Sequence, residues 1–598
     1  MSSALFHRLR PKAPVPVVVD EKQPDIETPA VVTEEKEIGV PTDAERQKID
    51  NEQFTPAAQD GVKGMEATTT VWTKNHLILA YVMIWIIYFV DTMQQGMTMS
   101  LTAYVTSSFN QHSLIAATSV MSNIIGGLIK LPLAKVLDIW GRPHGYLLMI
   151  GFLTVGLIMM AGCNNVETYA AAQVFYWVGY NGLTYTLGIF IADTSSLKNR
   201  ALMFAYASSP YIATTWVGGP LANRFLDGPG WRWGFGAFAI ITPAVTLPLF
   251  FLFWHNYKKA EAQGLVTRTP SGRTTLESIK FYAIEFDIIG LLLIVAGLAL
   301  FLLPFSIYSY QENTWKSPLI ICFFIFGGLL LIAFALYEKY IAPKTFIPYE
   351  LLMDRTVLGA CILAAVIFIS YYIWSSYFFS FLQVVNGLTI TETSYVMNIY
   401  SIGSCFWSLV VGVLIRWSGR FKWLAVYFGV PLTILGVGLM INFRQPGVNI
   451  GYIVMCQIFI AFAGGTIVIT EQMAAMAATT HQYVTVVLAV EGMFASIGGG
   501  IGSSVAAAVW TGVFPKKLAE YLPVEELPNL SNIYDSMVVQ MSYPFGTPAR
   551  DAILQAYGDA QKAMLIAATA ILSIAVVSTV VWRDIKVKEF KQVKGTVI

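Results

Sequence analysis

Charge is scarce in this chain. Only 13% of its 598 residues are Asp, Glu, Lys or Arg, against 55% hydrophobic, where a soluble domain carries about 25% charged residues. That shortage excludes an ordinary water-soluble globule and points to a chain solvated by lipid. Bases and acids balance, 38 against 37, and no basic stripe runs along any segment, so nucleic acid is not an expected partner. Cysteine is equally thin. Cys163, Cys322, Cys361, Cys405 and Cys456 stand singly in apolar runs, without the spacing of a zinc site or a disulfide frame, and read as small buried hydrophobes. The six histidines are scattered, leaving no cluster for a bare metal ion, and no cofactor is expected. No nucleotide-binding motif and no nucleophile–base pattern is present, so neither ATP coupling nor enzyme chemistry is expected. Gly498-Gly499-Gly500-Ile501-Gly502 lacks the Lys-Ser/Thr ending of a phosphate loop and reads as close helix packing.

Long apolar runs are what the chain has instead. They lie near 76–98, 114–134, 144–163, 168–192, 201–223, 233–254, 284–308, 318–338, 357–381, 394–415, 423–442, 450–476, 484–510 and 560–582. Each approaches the ~20 residues that cross a bilayer, and each is predicted as a helix because lipid offers the backbone no other partner. The chain is therefore predicted to be an all-α membrane protein of about fourteen spans. Residues 1–74 are rich in Pro, Glu, Lys, Thr and Asp and are predicted to be a disordered tail. They are not a signal peptide, because no apolar core follows Arg8, Arg10 and Lys12.

Charge asymmetry orients the spans. Lys135, Arg142, Lys198, Arg200, the cluster from Lys258 to Lys280, Lys339, Lys344, Arg355, Arg416, Arg420 and Lys422 alternate with connections holding only Arg224, Arg232, Lys316 and Arg444. Positive-inside sorting then puts both tails, 1–74 and 583–598, in the cytoplasm. It puts the Pro-rich stretch 511–559 outside, where Asn529-Leu530-Ser531 is a glycosylation candidate at Asn529.

The turn after the second run reads Lys135-Val136-Leu137-Asp138-Ile139-Trp140-Gly141-Arg142-Pro143. It resembles the signature loop of the major facilitator superfamily, with Asp138, Gly141 and Arg142 in place and Ile139 and Pro143 where basic residues are usual. The Gly permits a tight turn, and the Asp–Arg charges can latch helices across the inner mouth. A weaker echo, Arg416-Trp417-Ser418-Gly419-Arg420, fits two six-helix halves with an inserted pair. Fourteen spans also suit drug–proton antiporters. Against them, Gly218-Gly219-Pro220 continues as Leu221-Ala222-Asn223-Arg224, Phe175 stands where those exporters carry Arg, and Gln94-Gln95 follow Asp91-Thr92.

Taken together, Phe89–Gln95, Ser542–Pro548, Ala556–Gln561 and Trp582–Lys588 resemble the fungal siderophore-iron transporter family, over essentially everything after the tail. The resemblance implies a major facilitator fold of 6+2+6 helices: a first bundle at 75–254, a linker and inserted pair at 255–355, and a second bundle at 356–582. It implies a monomer at the plasma membrane, or also on endosomal vesicles, importing ferric siderophores with protons; iron travels only as a chelate. A glutathione–proton exchanger, a multidrug–proton antiporter and a non-transporting nutrient sensor remain as alternatives.

A chelated ferric ion needs width, aromatic faces and hydrogen-bond donors rather than metal ligands. Candidates for such contacts are Gln94, Gln95, Tyr176, Tyr180, Asn181, Tyr185, Tyr372, Trp374 and Tyr377 within the spans, with Tyr543, Phe545, Arg550 and Tyr557 as an outer cap. For any of the aromatics, interfacial packing is the competing role. Asp91, Glu471 and Glu491 are the proton-coupling candidates, since a carboxylate in a span is costly to keep; a structural hydrogen bond is the competing role.

Overall fold

Lipid leaves a backbone no partner but itself, and every regular element among the described residues is helical. The computed structural model describes residues 59–108, 126–266, 274–308, 311, 313–343 and 349–598. Among the described residues ten helices are long and apolar enough to span a membrane, eleven if the pair Thr275–Glu285 and Ile288–Leu302, bent by 47°, is one span.

The difference from fourteen has local causes. The run at 114–134 falls largely outside the described residues. The run at 168–192 is one helix, Val166–Thr194, diluted by tyrosines and amides. The run at 201–223 is broken into Leu197–Ser208 and Gly218–Asp227 around Pro210.

In chain order we label α1 Asp60–Val71, α2 Lys74–Ser108, α3 Lys130–Ile139, α4 Arg142–Gly162, α5 Val166–Thr194 and α6 Leu197–Ser208. There follow α7 Gly218–Asp227, α8 Trp231–Ala262, α9 Thr275–Glu285, α10 Ile288–Leu302 and α11 Pro318–Tyr340. The second half contains α12 Arg355–Ser375, α13 Phe378–Val384, α14 Ile390–Ser418, α15 Val430–Phe443, α16 Ile450–Ala477, α17 Val484–Tyr521 and α18 Pro548–Val580.

Glycine sets how closely these helices approach. A Cβ on Gly156 of α4 would land in the backbone of Tyr176 on α5, and one on Gly179 would land in the backbone of Leu153. The two glycines thus let α4 and α5 touch main chain to main chain, the close packing on which membrane helices rely. Gly179→Val is expected to force them apart and to cost about 1–3 kcal/mol or more. Thermal unfolding in detergent should show it as a lowered midpoint.

Two expectations change. The disordered tail was expected to reach residue 74; its residues 1–58 lie outside the described ones, but 60–71 form α1. Val62, Met65 and Ala67 are buried there. A Cβ on Gly61 would sit 2.5 Å from the Leu137 and Asp138 carbonyl oxygens. A short stretch with buried partners elsewhere in the chain escapes a composition averaged over 70 residues. The long connection also shrinks from 511–559 to 522–547, because α17 continues through Pro515 to Tyr521, burying Phe514 and Leu518, and α18 starts at Pro548. What remains folds into the short helices Leu530–Asp535 and Met537–Ser542.

Candidate functional site

Aromatic and hydroxyl side chains from both halves line a cavity of about 480 Å³. From the first half come Tyr88 and Gln95 on α2, Lys130 on α3, Tyr180, Asn181 and Tyr185 on α5, and Tyr211 after α6. From the second come Tyr400, Ser404, Cys405 and Ser408 on α14, Gln472 on α16 and Glu491 on α17. The size is that of an ordinary small-molecule pocket. Its wall mixes aromatic, polar and small apolar residues, with Tyr180 and Tyr211 joined through their hydroxyls at 3.1 Å. Tyr185 donates to the Thr485 carbonyl at 2.5 Å, crossing from α5 to α17.

Charge at the cavity is confined. Glu491 faces it, and the carboxyl groups of Glu491 and Glu471 are hydrogen-bonded to each other. Glu471 is 1% exposed. Lys130 faces the same space, close enough for its charge to act on Glu491. Its Nζ lies 2.7 Å from where a Cβ on Gly492 would stand. Asp91 is buried in the first half and does not line the cavity.

Below the cavity, on the face that carries the Lys/Arg-rich connections, the halves are closed by a buried ionic cluster. Gly141 takes φ +99°, a conformation other residues rarely adopt. The turn it makes folds Arg142 back onto Asp138, at 2.8 Å. Arg142 also donates to Asp193 Oδ2 at 2.9 Å, to the Leu137 carbonyl at 3.0 Å and to Thr485 Oγ1 at 3.3 Å. His481 lies 2.8 Å from Asp193 Oδ1 and 3.0 Å from Glu66 Oε1 of α1. All five ionisable side chains are at most 3% exposed. The two halves also meet closely where α14 passes α6: a Cβ on Gly412 would come 2.7 Å from Cα of Leu202.

A family model described as Major Facilitator Superfamily matches residues 84–503. "MFS siderochrome iron transporter 1" of Ajellomyces capsulatus is 67% identical over 599 residues, covering 100% of both chains. "MFS siderochrome iron transporter D" of Aspergillus fumigatus is 46% identical, covering 90% of each. "Siderophore iron transporter mirB" of Emericella nidulans is 42% identical, covering 96% of this chain and 95% of its own. The chain belongs to the fungal siderophore-iron transporter family of the major facilitator superfamily.

Solved structures share the fold alone. The human organic anion transporter MFSD10 (TETRAN) aligns at TM-score 0.51 with 11% identity, over 83% of this chain and 99% of its own. A peptide transporter, POT, in complex with alafosfalin, aligns at 0.52 with 12% identity, over 87% and 99%.

Against this family frame, Gln95, Tyr180, Asn181, Tyr185 and Glu491 line the cavity, with Glu471 directly behind Glu491. Gln94 is fully buried within the first half, and Tyr176 stacks behind Tyr180 with 6.0 Å between ring centres. Tyr372 packs on Gly499, and Trp374 meets Tyr400 edge-on at 6.2 Å. Tyr377 stacks on Trp510 at 4.2 Å, away from the cavity, in a column with Phe514 and Tyr557.

The expected outer-cap residues hold segment 522–547 onto the second half and do not line the cavity. Arg550 donates to the Gln540 and Val384 carbonyls, and Tyr557 donates to Gln540 Oε1 at 2.8 Å. Phe545 lies over the Arg550 guanidinium at 4.4 Å. Tyr543 donates to Glu526 at 2.7 Å and accepts from the Asn529 amide at 2.9 Å, so the glycosylation candidate is already engaged.

Sequence reasoning passed over Lys130, Glu66 and Asp193. Lys130 carried a usable signal: a lone cation inside an apolar run, five residues before the basic turn begins.

Proposed function

We propose that this protein imports ferric siderophore chelates across the membrane by alternating access, driven by protons. The observation that carries the reading is the cavity itself. It lies between the two halves, is walled by tyrosine faces, amides and hydroxyls, and is shut on the basic face by the Arg142 cluster. Such a wall grips the organic outside of a chelate, and the names of the relatives point to the same cargo. Among the described residues no group of His, Cys, Asp and Glu is set to hold a metal ion, which favours a chelate over bare iron.

Read with the basic face in the cytoplasm, the closed cluster corresponds to a state shut inward. The Glu471–Glu491 pair supports the proton step. Two carboxyl groups in hydrogen-bonding contact hold a proton between them, and Lys130 is the cation that takes over as partner when that proton leaves. The plasma membrane, or an endosomal vesicle whose lumen corresponds to the outside, suits this direction; a monomer suffices.

The test is uptake of radioactive iron, offered as several purified ferric siderophores, to yeast lacking its own siderophore carriers. Saturable uptake from at least one chelate, lost on adding a protonophore, is the expected result. No uptake from any chelate, with the protein at the cell surface, sinks the reading and turns attention to glutathione or drug efflux.

A further inference from the structure

The segment after α18 does not hang free. Arg583 pairs with Asp354 at the start of α12, and Arg420 of the second-half Gly-Arg turn pairs with Asp584 at 2.8 Å. Val587 N donates to the Gly419 carbonyl at 2.9 Å, and Lys588 Nζ to the Trp417 carbonyl at 2.8 Å. The segment is thereby fixed to the second half. It then crosses the closed seam.

Gln592, 8% exposed, donates to the Met476 and Thr479 carbonyls of the second half at 2.8 and 2.6 Å. On its other side it accepts from Arg200 of α6, in the first half, at 2.5 Å. Beyond it, Thr596 N donates to the Thr69 carbonyl of α1 at 2.9 Å, and Thr69 Oγ1 to the Lys594 carbonyl at 2.9 Å. Ile598 completes the crossing: its carbonyl accepts from Ser196 N and Oγ at 2.8 Å each, and its N donates to the Thr194 carbonyl at 3.1 Å. Gly595, at φ +79°, sits where a Cβ would come 2.5 Å from the Thr69 carbonyl carbon, so only glycine passes there.

We propose that residues 584–598 form a strap that clasps both halves across the basic face, and that its release from α1 and α6 gates opening of the cavity to that face. Since α1 also delivers Glu66 to His481, the two segments flanking the membrane domain are working parts of one gate. When the halves rotate apart below the cavity, Arg200, Ser196 and Thr194 move with the first half while Gly419, Met476 and Thr479 stay with the second. The contacts on one side of the strap must then break. Those on the first-half side run from the Gln592 side chain to Ile598.

The inference rests on the alternating-access reading above, so its test uses a readout that needs no substrate. Cys405 faces the cavity, whereas Cys163, Cys361 and Cys456 are buried. In full-length protein carrying Cys322→Ser, an impermeant maleimide applied to the basic face of inverted vesicles reports opening through Cys405. Gln592→Ala is expected to raise the labelling rate about tenfold, the weight of the lost charge-assisted hydrogen bond to Arg200; Gly595→Val, whose side chain would strike Thr69, is expected to raise it as well.

Ser196→Cys/Ile598→Cys, oxidised to cross-link the strap to the first half, is expected to abolish both this labelling and iron uptake, and reductant is expected to restore uptake. Unchanged labelling in both single variants, or full labelling of the cross-linked protein, overturns the strap. Labelling that shifts as expected while no siderophore is taken up upholds the strap and refutes only the choice of cargo.

Discussion

Glu491→Gln is expected to abolish uphill accumulation of the ferric chelate while leaving exchange of labelled for unlabelled chelate intact. A glutamine keeps the shape and the hydrogen bond to Glu471 but holds its donor permanently, so the pair can no longer release a proton. One proton crossing ~100 mV contributes about 2.3 kcal/mol, which corresponds to about a fiftyfold concentration ratio. Losing it should bring the internal chelate down to the external level. Glu471→Gln is expected to do the same, because either amide freezes the pair. Lys130→Ala leaves Glu491 without its cation and is expected to slow net uptake more than exchange. Parallel uptake and counterflow assays check all three. Equal loss in both assays would instead mark Glu491 as a chelate ligand.

Arg142→Ala is expected to unlock the face that the structure shows closed. The guanidinium is fully buried and satisfies Asp138, Asp193 and the Leu137 carbonyl at once. Removing one partner from such a buried group costs about 3–5 kcal/mol. If that cost falls mainly on the closed state, the population shifts by more than roughly a hundredfold and the cavity rests open to the basic side. Uptake should then collapse while Cys405 becomes reactive from that side. Arg142→Lys keeps the charge but not the fork that reaches two carboxylates, so an intermediate defect is expected. Collapse of uptake with Cys405 still unreactive would mean that the cluster supports folding rather than gating.

Much of the architecture could be read from residue order, because hydropathy reports directly on what lipid will accept. The Asp138–Gly141–Arg142 turn was legible for the same kind of reason: its geometry is local, and only glycine suits the positive φ. The cavity was legible in part. Tyr180, Asn181 and Tyr185 recur along α5 among residues that lipid disfavours, which marks an inward face. Tyr372 and Trp374 sit in a helix apolar on every side, where no pattern tells a cavity wall from a packed core; Tyr377, in the break after that helix, joins an aromatic column instead.

The gate was the least legible part. His481 meets Asp193 across 288 residues and Glu66 across 415, and no spacing rule spans such separations. Gln592 and Gly595 look like ordinary tail residues until their partners on α6 and α1 are seen.

The most direct measurement is transport by purified protein in sealed liposomes, with the external pH set below the internal pH and one ferric siderophore outside. Accumulation above the external concentration, collapsing when a protonophore dissipates the gradient and reduced to exchange alone by Glu491→Gln, is the expected result. Accumulation that ignores the pH gradient, or that Glu491→Gln leaves intact, would contradict a proton-driven path through this cavity.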